Sequence, residues 1–380
     1  MSRRQEDRRG FLETTLGATV AAASARMARA AGPQARAEPP LGPPRIRFAA
    51  IGLNHGHINS QTDAVLQGGG ELAWVYAKEP DLVAAYTRRF PQAKVARSEA
   101  EILDDPKIQL VVSAAIPNER APLGVRAMRA GKDFMVDKPG ITTLGDLALV
   151  RRVRQETKRI YSICYGERLE NRATLRAAEL VKAGAIGRVM QTIGLGPHRA
   201  RLETRPAWFF ERQRYGGILC DIASHQLDQF LFFTGSTQAE VVASQVANVR
   251  HPQHPELEDF GDAMLRGDRG TGYLRVDWFT PDGLETWGDG RLTILGTEGF
   301  IEIRKNVDIA GRPGASHLFL VDQKQTRYVD SSGQELPYGR QLVDDVLQRT
   351  ETAMSQAHCL LAMELAIRAQ NQAQRLSFKA

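Results

Sequence analysis

From Arg45 to Cys164 the sequence alternates short apolar runs with segments of helical periodicity, and this alternation constrains the fold more than any other feature. Five strands are expected, at Ile46–Ile51, Leu72–Tyr76, Gln109–Ala115, Asp133–Val136 and Ile160–Cys164. Helices are expected between them, at Ile58–Leu66, Asp81–Phe90, Arg120–Ala130 and Thr143–Thr157. Because strands separated by helices pair in parallel, the pattern predicts a doubly wound α/β sheet over residues 45–165. Ligands of such sheets bind at the carboxyl ends of the strands.

The spacing of the apolar runs changes after about residue 165. A helix is expected at Ala173–Ala183, and seven strands are expected at Arg188–Ile193, Ala239–Ala247, Asp262–Arg266, Gly272–Trp278, Arg291–Leu295, Phe300–Arg304 and His317–Val321. Strands this close together, separated mostly by turns, predict an α+β domain over 166–380 with an open, mostly antiparallel sheet. A final helix at Ser355–Leu376 should pack against the body of the domain.

The segment Tyr215–Gln229 has the spacing of a catalytic helix inside this second domain. The pair Gly216–Gly217 permits a tight turn before it. Three polar residues then share one helical face, at i, i+4 and i+7: Asp221, His225 and Asp228. A carboxylate one turn from a histidine can orient the ring for general acid/base work. A solvated face with an incidental Asp–His pair has the same spacing.

The amino-terminal 37 residues resemble a twin-arginine export signal. Arg8-Arg9 is followed by Phe11-Leu12, then by a short, mildly apolar run and by small-x-small cleavage patterns. A proline-rich linker is expected at 38–44. The resemblance implies a periplasmic protein exported in the folded state with its cofactor bound. The alternative is a disordered arginine-rich tail.

The charge of +6 does not indicate a nucleic-acid partner, because its distribution is uneven. Residues 1–37 contain seven arginines and three acidic residues, so they carry four of the six net positive charges. The remaining chain is almost neutral and lacks the basic stripe that a phosphate backbone requires. No run is long and apolar enough to predict a membrane span in the mature chain.

The cysteines and histidines do not predict a metal centre. Cys164, Cys220 and Cys359 are far apart in the sequence and have no metal-ligand spacing, so buried free thiols are expected, with a single disulfide as the alternative. The H-x-H pair of His55 and His57 can chelate a metal ion, with Asp221 and His225 as further ligands. We expect no metal, because nothing else in the nearby sequence completes such a set.

The loop after the first strand reads I-G-L-N-H-G-H and is a candidate dinucleotide-binding turn. The three glycine positions of G-x-G-x-x-G hold Gly52, Asn54 and His57. After the second strand, alanine stands where an acidic residue would bond the ribose, with Lys78 and Glu79 next to it. Glu79 could replace the missing acid and favour NAD, whereas Lys78 could favour the 2′-phosphate of NADP.

Several motifs together resemble the Gfo/Idh/MocA family of NAD(P)-dependent oxidoreductases, from about Arg45 to the end of the chain. They are A-I-P-N at 115–118, A-G-K-D-F-M-V-D-K-P-G at 130–140, G-G-x-x-x-D-x-x-x-H at 216–225 and G-T-E-G-F-I-E-I at 296–303. The resemblance implies a Rossmann domain followed by a substrate and oligomerisation domain. It also implies hydride transfer between a nicotinamide cofactor and a sugar, cyclitol or related polyol.

By position in these motifs, the resemblance assigns Lys138, Asp221 and His225 to catalysis. Cofactor contacts are expected from three sources: the loop after the first strand, the end of the second strand and the motifs of the resemblance. They are Gly52, Asn54, His55, Gly56, His57, Lys78, Ile116, Pro117, Asn118 and Lys138. Substrate contacts are expected from Asp221 and from polar and aromatic residues of 198–215: His198, Arg199, Trp208 and Tyr215. For Trp208 a place in the core is an equal alternative.

Two other functions fit the same residues. One is an NAD-dependent glycoside hydrolase or lyase that oxidises and re-reduces its sugar without net redox change. The other is a non-catalytic periplasmic carbohydrate-binding protein, which the altered glycine loop allows but which has no need of an acid/base trio. Whichever function holds, the open second sheet is expected to form a homo-oligomer.

Overall fold

The computed structural model describes residues 43–378. The predicted export signal at 1–37 and most of the linker at 38–44 therefore lie outside the described residues. Within 43–378, no helix combines the length and the apolar character needed to cross a membrane.

The first domain is built on a six-stranded, fully parallel sheet. Its strands are β1 Ile46–Ile51, β2 Gly70–Tyr76, β3 Lys94–Val95, β4 Leu110–Ser113, β5 Asp133–Asp137 and β6 Tyr161–Cys164. The spatial order β3-β2-β1-β4-β5-β6 reverses direction between β1 and β4, which opens a crevice at their carboxyl ends. The doubly wound sheet predicted from the sequence is confirmed.

Helices cover both faces of this sheet, as the alternating pattern requires. They are Ile58–Gln67, Pro80–Arg89, Glu99–Leu103, Pro117–Arg129 and Leu144–Thr157. The residues of β4 and β5 are all buried, which explains why these strands read as continuous apolar runs. Strand β3 and the helix at Glu99–Leu103 were not predicted, because two exposed residues and a single helical turn carry no periodic signal.

The second domain contains a nine-stranded sheet in the order β14-β13-β12-β11-β7-β10-β9-β8-β15. Its strands are β7 Val189–Pro197, β8 Ala239–Ala247, β9 Phe260–Gly267, β10 Thr271–Asp277, β11 Arg291–Gly296, β12 Phe300–Arg304, β13 His317–Val321, β14 Thr326–Val329 and β15 Gln374–Arg375. Only β7–β10 and β8–β15 pair in parallel. The prediction of an open, mostly antiparallel sheet is confirmed.

The helices of this domain are shorter and more broken than predicted. Their bounds are Gly166–Leu169, Arg172–Lys182, Arg212–Tyr215, Ile218–Asp221, Ser224–Thr234, Tyr338–Gln348 and Gln356–Gln372, with 3₁₀ turns at Leu202–Thr204 and Ala207–Phe210. The helix Tyr338–Gln348 was not predicted; it packs on the first domain, against Ile58–Gln67.

The single catalytic helix predicted after Gly216–Gly217 is two segments. Ile218–Asp221 forms one turn, and Ser224–Thr234 begins after a break. Asp228 does not share the site with Asp221 and His225, contrary to the one-face prediction. Its carboxylate instead accepts two hydrogen bonds of 2.7 Å from the Arg168 guanidinium and lies 2.7 Å from the His358 ring. This buried network is structural.

Candidate active site

A cavity of about 320 Å³ lies where the carboxyl ends of the parallel strands face the second domain. Residues following β1, β5 and β6 form one wall, and residues of the second sheet and its connections form the other. All three residues assigned to catalysis line it: Lys138, Asp221 and His225. The position agrees with the rule that doubly wound sheets bind ligands at this edge.

Lys138 and Asp221 form an ion pair across the two domains. Lys138 follows β5 directly, and its Nζ lies 2.9 Å from Oδ1 of Asp221, at the end of Ile218–Asp221. Burial alone would raise the pKa of Asp221, but the Lys138 ammonium outweighs it and holds that pKa below its usual value. The aspartate is therefore a carboxylate at neutral pH.

His225 is an almost fully buried, neutral imidazole. Burial lowers its pKa to about 3, while the negative charge of Glu167 opposes that shift. Its Nδ1 has no hydrogen-bond partner among the described residues. Asp221 bonds to Lys138 and makes no hydrogen bond to the His225 ring. The ring is thus available to accept a proton from a bound molecule.

His55, His57 and Asp137 form a second cluster in the same cavity. Nδ1 of His55 lies 3.1 Å from one oxygen of Asp137, and Nδ1 of His57 lies 3.0 Å from the other. Arg120 donates to the same carboxylate at 3.1 Å. Burial alone would raise the pKa of Asp137, but the neighbouring cationic groups hold it well below its usual value.

This cluster differs from the metal set considered from the sequence. One ligand atom from each of His55, His57 and Asp137 lies within 4.8 Å of the others, whereas Asp221 and His225 are not part of the group. The Arg120 guanidinium already supplies a positive charge to Asp137. The cluster is therefore self-contained as an Arg-supported hydrogen-bond network that fixes the loop after β1 to the end of β5.

The loop after β1 fits the start of a dinucleotide site. Gly52 has φ +77, and a Cβ there would lie 2.5 Å from the Cβ of Ala115, so glycine is required by both backbone and packing. Asn54 stands at the second glycine position and donates to Glu79 Oε1 at 2.8 Å. Asn118, at the start of the helix after β4, has a buried Oδ1 without a partner among the described residues. An orphaned acceptor beside this loop suits an amide-bearing ligand.

The predicted site residues divide into three groups. The main cavity is lined by His55, His57, Pro117, Lys138, His198, Trp208, Asp221 and His225. A smaller cavity of about 80 Å³ at the ends of β1 and β2 is lined by Gly52, Asn54 and Lys78. The residues that line neither of these two cavities are Gly56, Ile116, Asn118, Arg199 and Tyr215.

The side chains of Arg199 and Tyr215, which were predicted to contact substrate, form hydrogen bonds within the protein. Arg199 holds the 282–286 loop, with Nη1 donating to Asp282 at 2.6 Å and Nη2 to the Leu284 carbonyl at 2.5 Å. The buried Tyr215 hydroxyl donates to the Glu256 carbonyl at 3.0 Å. Both side chains shape the segments around the cavity and do not line it.

Several cavity residues were missed from the sequence: Glu167, Arg205, Trp278, Trp287, Lys305 and Asn306. Glu167 pairs with Lys305, and the two come together from distant parts of the chain. Glu167 closely follows β6, so the carboxyl-end rule applied to that strand would have identified it. No sequence signal places Trp287 or Asn306, which lie in irregular connections of the second domain.

Comparison with protein families gives one match. Residues 174–302 match the GFO/IDH/MocA C-terminal domain. Among curated proteins, scyllo-inositol 2-dehydrogenase (NAD(+)) of Bacillus subtilis is 24% identical over 305 residues, covering 77% of this chain and 85% of that protein. The 1,5-anhydro-D-fructose reductase of Ensifer adhaerens is 27% identical over 213 residues, or 54% of this chain and 60% of the reductase.

Solved structures extend the likeness over both domains. A crystal structure from Erwinia carotovora atroseptica SCRI1043, described only as an oxidoreductase, is 49% identical with a TM-score of 0.85, covering 87% of this chain and 100% of that one. Levoglucosan dehydrogenase, solved with NADH and levoglucosan, shares the fold at 17% identity and a TM-score of 0.73, covering 86% of this chain and 98% of the dehydrogenase.

The parallel-sheet domain, the open second sheet and the cavity between them define a two-domain oxidoreductase. The chain belongs to the Gfo/Idh/MocA family. The predicted enzyme class is confirmed, and the predicted nicotinamide cofactor agrees with relatives named for NAD(+) and NADP(+).

Proposed function

We propose that the protein is an NAD(P)-dependent oxidoreductase that transfers hydride between the CH–OH group of a sugar, cyclitol or related polyol and a tightly held cofactor. The observation that carries the proposal is the Lys138–Asp221 ion pair, formed in one cavity with His225. Relatives named as inositol and levoglucosan dehydrogenases support the polyol class.

The cofactor would be held by the carboxyl edge of the parallel sheet. Gly52 and Asn54 form the turn after β1, and Lys78 and Glu79 line the smaller cavity at the end of β2. Asn118, next in the chain to the cavity residue Pro117, offers an unpartnered Oδ1. When bound, the nicotinamide supplies the hydride acceptor for alcohol oxidation.

His225 would take the hydroxyl proton of the substrate. The ring is neutral at neutral pH because burial lowers its pKa to about 3. Glu167 lines the same cavity, and its negative charge stabilises the protonated ring of His225. The arrangement lets the proton leave the oxygen as the hydride leaves the carbon.

Lys138 would stabilise the oxygen on which negative charge develops. Lys138 is 5% exposed and its ammonium is oriented by Asp221, so little reorganisation is needed during the reaction. Removing one such preorganised donor typically costs roughly 10²–10³ in kcat. Asp221 keeps the ammonium in place and can also accept a hydrogen bond from the substrate.

A panel of sugars and cyclitols with NAD⁺ or NADP⁺ tests the proposal. A lasting rise in reduced nicotinamide, at a rate that Lys138→Met lowers by about 10²–10³, is the expected result. Cleavage of a glycoside without net change in nicotinamide would instead support the redox-neutral hydrolase or lyase. Saturable sugar binding with no bound dinucleotide and no turnover would support a carbohydrate-binding protein.

Export to the periplasm is part of the same proposal and rests on the sequence of residues 1–37. Fractionation of cells producing the full chain should place it in the periplasm, and replacing both Arg8 and Arg9 by lysine should retain it in the cytoplasm. An unchanged distribution in the double variant would refute the twin-arginine route.

The open face of the second sheet is the proposed homo-oligomer interface. Ile193, Tyr273 and Met264 lie opposite one another on adjacent strands β7, β10 and β9. Ile193 and Met264 are exposed, as are Leu295 and Phe300 further along the sheet. An exposed apolar strip on a broad sheet suits a self-complementary contact.

A further inference from the structure

Arg205 differs from the other cationic residues that line the cavity. Lys138 pairs with Asp221, Lys305 with Glu167 and Arg120 with Asp137. Arg205 makes its hydrogen bonds only to backbone carbonyls, with Nε donating to Ala200 at 2.8 Å and Nη2 to Arg199 at 3.4 Å. Within 43–378 its guanidinium has no carboxylate partner.

Aromatic rings surround this guanidinium. Its central carbon lies 4.4 Å from the ring centre of Phe209, 5.1 Å from that of Trp278 and 5.2 Å from that of Trp287. Burial among these rings lowers the pKa of Arg205 below its usual value. The rings hold the group by cation–π contact but cannot neutralise its charge.

A half-buried cation without a directly paired carboxylate loses part of its hydration, and a bound anion would offset that cost. The hydrogen bonds from Nε and Nη2 to backbone carbonyls fix the plane of the guanidinium. Nη1 has no hydrogen bond in the described chain. A planar guanidinium with unused N–H donors matches a carboxylate better than it matches a neutral hydroxyl. Trp278 and Trp287 also line the cavity and can cover the face of a sugar ring.

We propose that the natural substrate is a sugar acid whose carboxylate binds Arg205 while its reacting hydroxyl lies at Lys138 and His225. This inference rests on the proposed function and names its substrate class. The cavity of about 320 Å³ is near the lower end of the usual range for ligand sites, which favours an acid of monosaccharide size. In oxidation the C–H hydride goes to the nicotinamide, the hydroxyl proton goes to His225, and the carboxylate is unchanged.

Matched substrate pairs test the proposal: glucose with glucuronate, galactose with galacturonate, and glucose 6-phosphate as a phosphate-bearing probe. Charge-assisted hydrogen bonds contribute about 1.5–3 kcal/mol, which corresponds to about 10–150-fold in kcat/KM. The wild-type enzyme should favour the uronates by that factor. A preference for the phosphate ester over both uronates would assign Arg205 to phosphate and overturn the carboxylate.

Two variants at Arg205 and one control separate its charge from its packing. Arg205→Met should remove the preference for the acid, and Arg205→Lys should retain part of it. Arg201→Met is the control, because Arg201 stacks on the same Trp287 at 5.4 Å but is exposed and does not line the cavity. Equal kcat/KM for acid and neutral sugar in the wild-type enzyme overturns the inference whether or not the variants fold.

Calorimetric titration with glucuronate distinguishes failure of the inference from failure of the proposed function. If no nicotinamide-dependent turnover occurs but glucuronate binds and Arg205→Met abolishes binding, the oxidoreductase proposal fails and the anion site stands. If turnover occurs with neutral sugars and glucuronate neither binds nor reacts, the oxidoreductase stands and the sugar-acid inference fails.

Discussion

The Nζ of Lys138 lies 2.9 Å from Oδ1 of Asp221, and this ion pair connects the end of β5 in the first domain to a single helical turn in the second. Neither domain contains the pair by itself. The two side chains therefore meet only because the parallel sheet and the open sheet each form one wall of the same cavity.

Loss of either member of the pair should reduce catalysis more than stability. Lys138→Met is expected to lower kcat by about 10²–10³, because the developing charge on the substrate oxygen loses a preorganised donor. Asp221→Asn should lower kcat in the same range, because the Lys138 ammonium loses the carboxylate that orients it. Steady-state kinetics with the best substrate of the panel measures this. Lys107→Met is the matched control, since Lys107 is exposed and does not line the cavity. A change confined to KM, with kcat unaffected, would contradict the assigned role.

His225 should act as a proton acceptor without a titration near neutral pH. His225→Gln is expected to lower kcat by about 10²–10⁴, the usual contribution of a positioned acid/base. Because burial lowers the pKa of His225 to about 3, the profile of kcat/KM should show no loss between pH 7 and 5 that arises from this group. An acid limb with a pKa near 6.5 that disappears in His225→Gln would show that the ring is solvated.

Stability should fall on acidification because three histidines that line the cavity resist protonation. Burial lowers the pKa of His55 and His198 to about 4 and that of His225 to about 3. Between pH 6.5 and 4 the unfolded chain binds protons that the folded chain does not, so the free energy of unfolding declines as pH falls. Each histidine contributes at most about 1.4 kcal/mol per pH unit. Urea unfolding from pH 7 to 4 measures the slope of the free energy of unfolding against pH. His198→Gln should reduce that slope by the equivalent of up to one bound proton.

The glycine loop gives a paired test of local geometry. Gly52→Ala should destabilise the fold by about 1–3 kcal/mol, because alanine is strained at φ +77 and its Cβ would overlap Ala115. It should also weaken dinucleotide binding. Gly56→Ala is the control, since a Cβ at Gly56 meets no atom within 4 Å. Equal stabilities for the two variants in urea titrations would be incompatible with the described turn.

The open sheet face should control oligomeric state. Met264 is 55% exposed and lies on β9, at one end of the apolar strip, so Met264→Lys should convert an oligomer to monomer through the cost of burying a charge. Val95→Lys is the control, because Val95 is equally exposed but lies in the first sheet, at its edge strand β3. Sedimentation velocity should show a smaller species only for Met264→Lys. A wild-type monomer at all concentrations would refute the interface.

Much of the fold was predictable because apolar periodicity is strong where strands are buried. The bounds of β1 were predicted to the residue, and β4 and β5 to within two residues, from continuous apolar runs. The break between Asp221 and Ser224 was not predictable, because residues on both sides have helical spacing. It is tertiary packing that sends Asp228 into the core with Arg168 and His358.

The site was predictable only in part. Lys138, Asp221 and His225 were found because family motifs mark them, and the structure brings them into one cavity. Arg205 and Glu167 carry no motif, and their roles depend on partners far away in sequence. Glu167 is identified by its ion pair with Lys305. Arg205 is identified by hydrogen bonds to backbone carbonyls and by the absence of a carboxylate partner in the described chain.

The most direct measurement of the central claim is deuterium transfer. The enzyme is incubated with NAD⁺ or NADP⁺ and the best substrate of the panel, deuterated at its carbons, and the reduced nicotinamide is analysed by mass spectrometry. One deuterium per turnover in the nicotinamide, at a rate that Lys138→Met reduces by about 10²–10³, is the expected result. Product formation with no deuterium in the nicotinamide would contradict hydride transfer at this site.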